Sequence, residues 1–181
     1  MQPEPVESGN KHIFTLLERV LFLKEVDLFR NVDTERLSVI AEIAREITAE
    51  ENEVIARENE PSEALYIIKS GALKIVKEKD GVQYNLKNIG EGQCFGVFGL
   101  FGSGKRSAGA VANERTVLYE IRKSEFKKVL MSNPEIAYNI LEILGGRLNE
   151  MDDEVVLLNK TLALSLKGDT AKTGERAIKG N

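Results

Sequence analysis

The chain has 181 residues, enough for one compact domain with a real core plus a further helix or tail. Hydrophobic residues make up 42% and charged residues 30%, and the net charge of -4 argues against a generally basic nucleic-acid binder. A single cysteine, Cys94, excludes an internal disulfide, and with the single histidine, His12, it falls short of the usual ligand count of a zinc or iron–sulfur site.

The first segment, MQPEPVESGN, is acidic and Pro-containing and lacks an apolar signal core, so residues 1–11 read as a disordered leader. No run is apolar for long enough to span a membrane, which makes the cytoplasm the simplest compartment. Residues 12–51 read as N-terminal helices. Ile13, Leu16, Leu17, Val20 and Leu21 recur at helical spacing, and Leu37, Ile40, Ile43, Ala44 and Ile47 repeat the pattern after a break. Asp33 or Thr34 is the expected N-cap of the second helix.

The texture changes over residues 52–122. Short runs (EVIAR, ALYIIKS, ALKIVKEK, VQYNLKNI, CFGVFGL, AGAVAN, TVLYEI) alternate with turn signals, of which Asp80–Gly81 is the strongest for a hairpin. Many short strands at this spacing predict a mainly β domain, an antiparallel β-roll or jelly roll with flanking helices. Helix returns over 123–166, with Asn133 expected to cap a helix that starts at Pro134. Leu141, Leu144, Leu148, Met151, Val155, Leu158 and Leu162 alternate steps of three and four, a coiled-coil-like seam that predicts a long dimerisation helix. Gly145–Gly146 interrupts it and would permit a bend. Residues 167–181 are polar and read as a flexible tail.

The stretch FGVFGLFGSGKRSAG, from Phe95 to Gly109, invites a P-loop reading, which fails. Arg106 stands where the metal-ligating hydroxyl should follow Gly104–Lys105, and the sequence after it reads as strand, not helix. From the residues alone Arg106 is either an ordinary surface or salt-bridged strand residue or an anion ligand. No nucleophile–base pair, metal cluster or paired carboxylate set suggests an enzyme.

Several motifs, in order, carry a resemblance. DLFRNVDTERL, EALYIIKSGALKIVKEKDGVQ, IGEGQCFG and KRSAGAVA, over about residues 22–150, resemble the cyclic-nucleotide-binding domain family. The resemblance implies a phosphate-binding cassette over 95–108, with a short helix after Phe95–Gly96 whose N-terminal N–H groups face a cyclic phosphate. It implies ligand-binding positions at Gly96, Val97, Phe98, Gly99, Arg106, Ser107 and Ala108. Arg106 and Ser107 would hold the phosphate, and Gly96 would permit close approach. Val97 departs from the family pattern, which has a glutamate there for the ribose 2′-hydroxyl. Losing that acceptor weakens binding roughly ten- to a hundred-fold.

The function implied is a regulatory ligand-sensing module for cyclic AMP, cyclic GMP or another small phosphate-bearing ligand, with no further cofactor. It would signal through its C-terminal helix and form a homodimer through residues 140–162, with an output domain or partner protein beyond. Asn149 and Asp152 lie where that helix could approach a base. DNA binding by this chain is not expected, since residues 167–181 are too few for a helix-turn-helix. The alternative is a degenerate, non-sensing dimerisation or docking domain.

Overall fold

In the computed structural model, the backbone is described for residues 6–101 and 104–178, and side chains for 15–101 and 104–161. The element order is α1 (Val6–Glu25), a 3-10 turn (Asp27–Phe29), α2 (Thr34–Ile43), β1 (Arg45–Ala49), β2 (Val54–Ala56), β3 (Ala64–Ser70), β4 (Leu73–Lys79), β5 (Val82–Ile89), β6 (Cys94–Phe95), α3 (Val97–Phe101), β7 (Gly109–Ala112), β8 (Thr116–Arg122), α4 (Lys123–Ser132) and α5 (Pro134–Ile178).

The eight strands form two antiparallel four-stranded sheets, ordered β1-β8-β3-β6 and β2-β7-β4-β5. Each sheet turns one face inward, and β5 is exposed except at Ile89. Leu73 and Ile75 on β4, Ala110 and Ala112 on β7, Ile68 on β3 and Leu118 on β8 fill the space between the sheets, with Ile89, Phe95 and Ala108. The hairpin between β4 and β5 turns on Asp80 (φ 55°) and Gly81 (φ 74°), with Lys79 paired to Val82. Two consecutive positive φ values are the signature of the tight turn whose twist suits antiparallel strands. The helices pack through their own apolar faces. Phe29 meets Phe126 of α4 edge-on at 6.3 Å between ring centroids, and Arg19 of α1 donates to the carbonyl of Ala44 at 3.0 Å, satisfying an orphan acceptor at the end of α2. Asp33 caps α2 as expected, its carboxylate accepting from the Arg36 amide at 2.9 Å.

Several boundaries differ from the sequence reading. The expected helix through Ile47 stops at Ile43, and the roll begins at Arg45 instead of at 52. Ile47 fits the helical period from Ile43, but Ala44 turns extended and Arg45–Ala49 pairs residue by residue with Glu120–Thr116. The long-range ladder overrides the local period. The apolar run CFGVFGL is not one strand: β6 is two residues long, Gly96 adopts φ +95°, and α3 follows. Asn133 does not cap α5. It ends α4, and its Nδ2 donates back to the carbonyl of Val129 at 3.0 Å. Residues 6–11, assigned to the leader, lie in α1, and α5 continues through the expected tail to Ile178; residues 1–5 and 179–181 lie outside the described residues. Gly145 and Gly146 are helical, and α5 is unbroken across them.

The chain divides into two units, one running through Ile140 and the other starting at Leu141. In the first, Ile136 and Ile140 are fully buried. In the second, Leu141, Leu148, Met151, Val155 and Leu158 are exposed, and the side chain of Leu162 lies outside the described residues.

Candidate functional site

The site is built where the segment before β3 runs antiparallel to the segment before β7. Pro61 pairs with Lys105. Around that pair, the Ser62 amide donates to the Gly104 carbonyl at 2.7 Å, the Arg106 amide to the Glu60 carbonyl at 2.9 Å, and the Asn59 amide to the Arg106 carbonyl at 2.9 Å. Side chains two apart on such a ribbon share a face. Arg106 and Ser62 therefore both project toward the Gly96–Phe101 segment, and the glycines there confirm it. A Cβ at Gly96 would overlap Arg106 Nη1, and one at Gly99 would overlap the Ser62 hydroxyl.

Arg106 is only 5% exposed, unusual for a guanidinium. Its Nη2 donates to the Ala64 carbonyl at 2.8 Å. Its Cζ lies 4.9 Å from the Phe95 ring centroid and 5.3 Å from that of Tyr66, so two aromatic faces attract the buried charge. Nη1 is buried and has no hydrogen-bond partner among the described residues, and Arg106 makes no ion pair among them. Burial pushes its pKa down, partly offset by the Tyr66 hydroxyl and the Glu63 carboxylate. The Tyr66 hydroxyl in turn is pushed up, first by burial and then by the charge of Glu120, which accepts from it at 3.4 Å.

A buried cation with one unsatisfied N–H costs several kcal/mol unless an anion reaches it. The arrangement leaves one buried guanidinium N–H, flanked by apolar and aromatic groups, with the chemistry to take an oxyanion.

The sequence-predicted site residues divide into two sets. Gly96 and Gly99 meet the face shared by Arg106 and Ser62, Ala108 is buried in the core between the sheets, and Val97 is only 5% exposed at the first position of α3. Phe98 (66% exposed), Ser107 and the tip residue Lys105 face outward. Gly99 is explained by close packing on Ser62, a reason that its low helix propensity conceals. Glu91 is exposed in the preceding turn, and Asn149 and Asp152 are exposed on the second unit. Sequence reasoning missed Ser62, Tyr66 and Lys123. Alternation along β3 was the available signal for Tyr66, which shares a face with Ala64 and Ile68. Nothing local marks Ser62 or Lys123, because their role depends on a pairing partner some forty residues away along the chain or on a different element.

Residues 46–133 match the model of the cyclic nucleotide-binding domain. This segment belongs to the cyclic nucleotide-binding domain family. The chain is 34% identical over 98 residues to the cyclic AMP receptor protein of Thermus thermophilus, an overlap of 54% of this chain and 45% of that protein. It is 28% identical over 109 residues to a cAMP-dependent protein kinase regulatory subunit of Mucor circinelloides, covering 60% of this chain and 26% of that one. It thus spans less than half the length of either relative. Among solved structures, the catabolite activator protein of Thermus thermophilus superposes with a TM-score of 0.66 at 28% identity, covering 74% of this chain and 63% of that one. Among the described residues no helix is long and apolar enough to cross a membrane, and no cluster of potential metal ligands is found.

Proposed function

We propose that the domain is a regulatory, non-catalytic sensor that binds a cyclic nucleotide or a related small phosphate-bearing ligand at Arg106. The observation that carries the reading is the buried Nη1 of Arg106, which lacks a partner among the described residues and stands against Gly96 in an apolar setting. The names of two relatives, a cyclic AMP receptor protein and a cAMP-dependent kinase regulatory subunit, support the ligand class. In this reading Gly96, Val97, Phe98, Gly99, Arg106, Ser107 and Ala108 form the ligand-binding cassette. The phosphate pairs with the guanidinium, where a charge-assisted bond in a dry site is strongest. Val97 leaves the sugar hydroxyl beside it facing a methyl group, which makes the ribose half of the site weak. Occupancy is transmitted through α5, and two copies associate through its exposed seam. Ile140 is buried in its own unit, so the seam starts at Leu141.

A thermal-shift titration with cyclic AMP, cyclic GMP and cyclic dinucleotides tests this. A ligand stabilises the fold by RT ln(1 + [L]/Kd), about 2.7 kcal/mol at a hundredfold excess over Kd. Arg106→Ala should abolish the shift, and Val97→Glu should enlarge the cyclic AMP shift by restoring an acceptor for the ribose. The second reading, a docking domain that senses nothing, is favoured by one feature, the apolar and buried Val97. No shift with any of these ligands at millimolar concentration decides for it.

A further inference from the structure

Lys123 opens α4, where the positive end of the helix dipole disfavours a cation. Its backbone amide donates to the Glu63 carbonyl at 2.7 Å, at the junction that leads into β3. Its Nζ reaches away from α4 and donates to the Gly99 carbonyl at 2.7 Å. Gly99 lies in the last turn of α3, the end of a helix at which carbonyls point outward and accept from groups outside it. Lys123 thus satisfies the far end of the short helix whose near end lies over Arg106. The same ammonium sits near Gly104, where a Cβ would come within 3.7 Å of it. That glycine leads into the Lys105–Arg106 segment.

One residue therefore ties the base of β3, through its amide, to the end of α3, through its ammonium, and that ammonium lies beside the loop before Arg106. The rest of the seating of α3 comes from the buried Val97 and from close approach, Gly96 on Arg106 and Gly99 on Ser62. Phe98 and Phe101 face outward and add little. A five-residue helix cannot hold itself in water.

We infer that Lys123 is a positioning residue for the anion site: it fixes α3 at the height over Arg106 at which Gly96 and Val97 meet the ligand. It touches no ligand itself. The inference rests on the reading of Arg106 as an anion site, and the experiment separates the two. Hydrogen exchange is measured on the unliganded chain, and calorimetric titration is run with cyclic AMP as the probe, for wild type, Lys123→Met and Lys123→Arg. Lys123→Met keeps the aliphatic stem and removes the donor; Lys123→Arg keeps a donor.

Lys123→Met should leave the global unfolding midpoint close to wild type, speed exchange of the amides of residues 97–101 roughly tenfold, and weaken cyclic AMP about tenfold, the worth of one charged hydrogen bond. Lys123→Arg should recover both readouts to within about threefold, which a merely space-filling role would not produce. Unchanged exchange over 97–101 in Lys123→Met overturns the inference. So does unchanged affinity where wild type binds. If wild type binds no probe, the anion-site reading fails, and the exchange data alone then decide whether Lys123 holds α3.

Discussion

The glycines facing Arg106 and Ser62 are more constrained than their place in a loop suggests. Gly96 combines φ +95° with a carbonyl, that of Ala64, 2.9 Å from where a Cβ would stand, and with the Arg106 guanidinium on the same side. Gly96→Ala should cost about 1–3 kcal/mol in a urea melt, since both the backbone region and the space are wrong. Gly99 is different, with no positive φ and a single obstacle, the Ser62 side chain. Gly99→Ala should destabilise the fold, and Ser62→Gly should remove most of that penalty in a double-mutant cycle. Additive free energies would refute that explanation of Gly99. Arg106 makes a prediction of unusual sign. Because its charge is buried and half-satisfied, Arg106→Met should leave unliganded stability unchanged or raise it by about 1–4 kcal/mol, while removing any ligand-induced shift. A large loss of stability would mean that the guanidinium serves the fold and not a ligand.

Among the elements, the β4–β5 hairpin and α2 show what was legible. Asp80–Gly81 predicts its own turn because the requirement is local: two positive φ values, and residues that accept them. A Cβ at Gly81 meets no atom within 4 Å, so Gly81→Ala should cost about 1 kcal/mol by backbone strain alone, measured as a lowered urea midpoint. Asp33 was equally legible as a cap. Its carboxyl is held below the usual carboxylate range by the Arg36 amide first and the Arg36 side chain second. A lowered folded-state value means that the stabilisation is complete above the ordinary carboxylate pKa and fades as pH falls through the lowered one. Wild type and Asp33→Ala should therefore differ most at neutral pH and converge at the acid end of a pH series of urea melts. β1 was not legible in the same way. Ile43 and Ile47 fit a helix, and only a strand at the other end of the roll decides otherwise. α3 was hidden inside an apolar run, and the family resemblance, not the periodicity, indicated it. Ser62 and Lys123 were invisible because their partners come from separate strands and helices.

Across the whole molecule, the seam on the second unit was legible as a period, and its exposure in the single chain is what a partner helix would cover. Leu148 and Leu158 are 60% and 70% exposed. Leu148→Asp or Leu158→Asp should convert a dimer to a monomer in sedimentation equilibrium while leaving the roll's unfolding transition in place. A wild-type chain that sediments as a monomer at high concentration would remove the dimer from the proposal.

The pairing of β1 with β8, and of β8 with β3, has a consequence for the order in which the domain can form. β8 is the last strand of the roll, yet it lies between β1 and β3 in its sheet. Until Thr116–Arg122 is available, β1 has no ladder and β3 has only the two-residue β6 beside it. The helices and the β4–β5 hairpin can form locally and early, whereas the sheet that carries Ala64 and Tyr66 must wait for a long loop to close. A chain growing from its N-terminus will have synthesised Arg106 before it has the strand that fixes Ala64 and Tyr66 beside it, so the surroundings of that guanidinium cannot form before β8 is made.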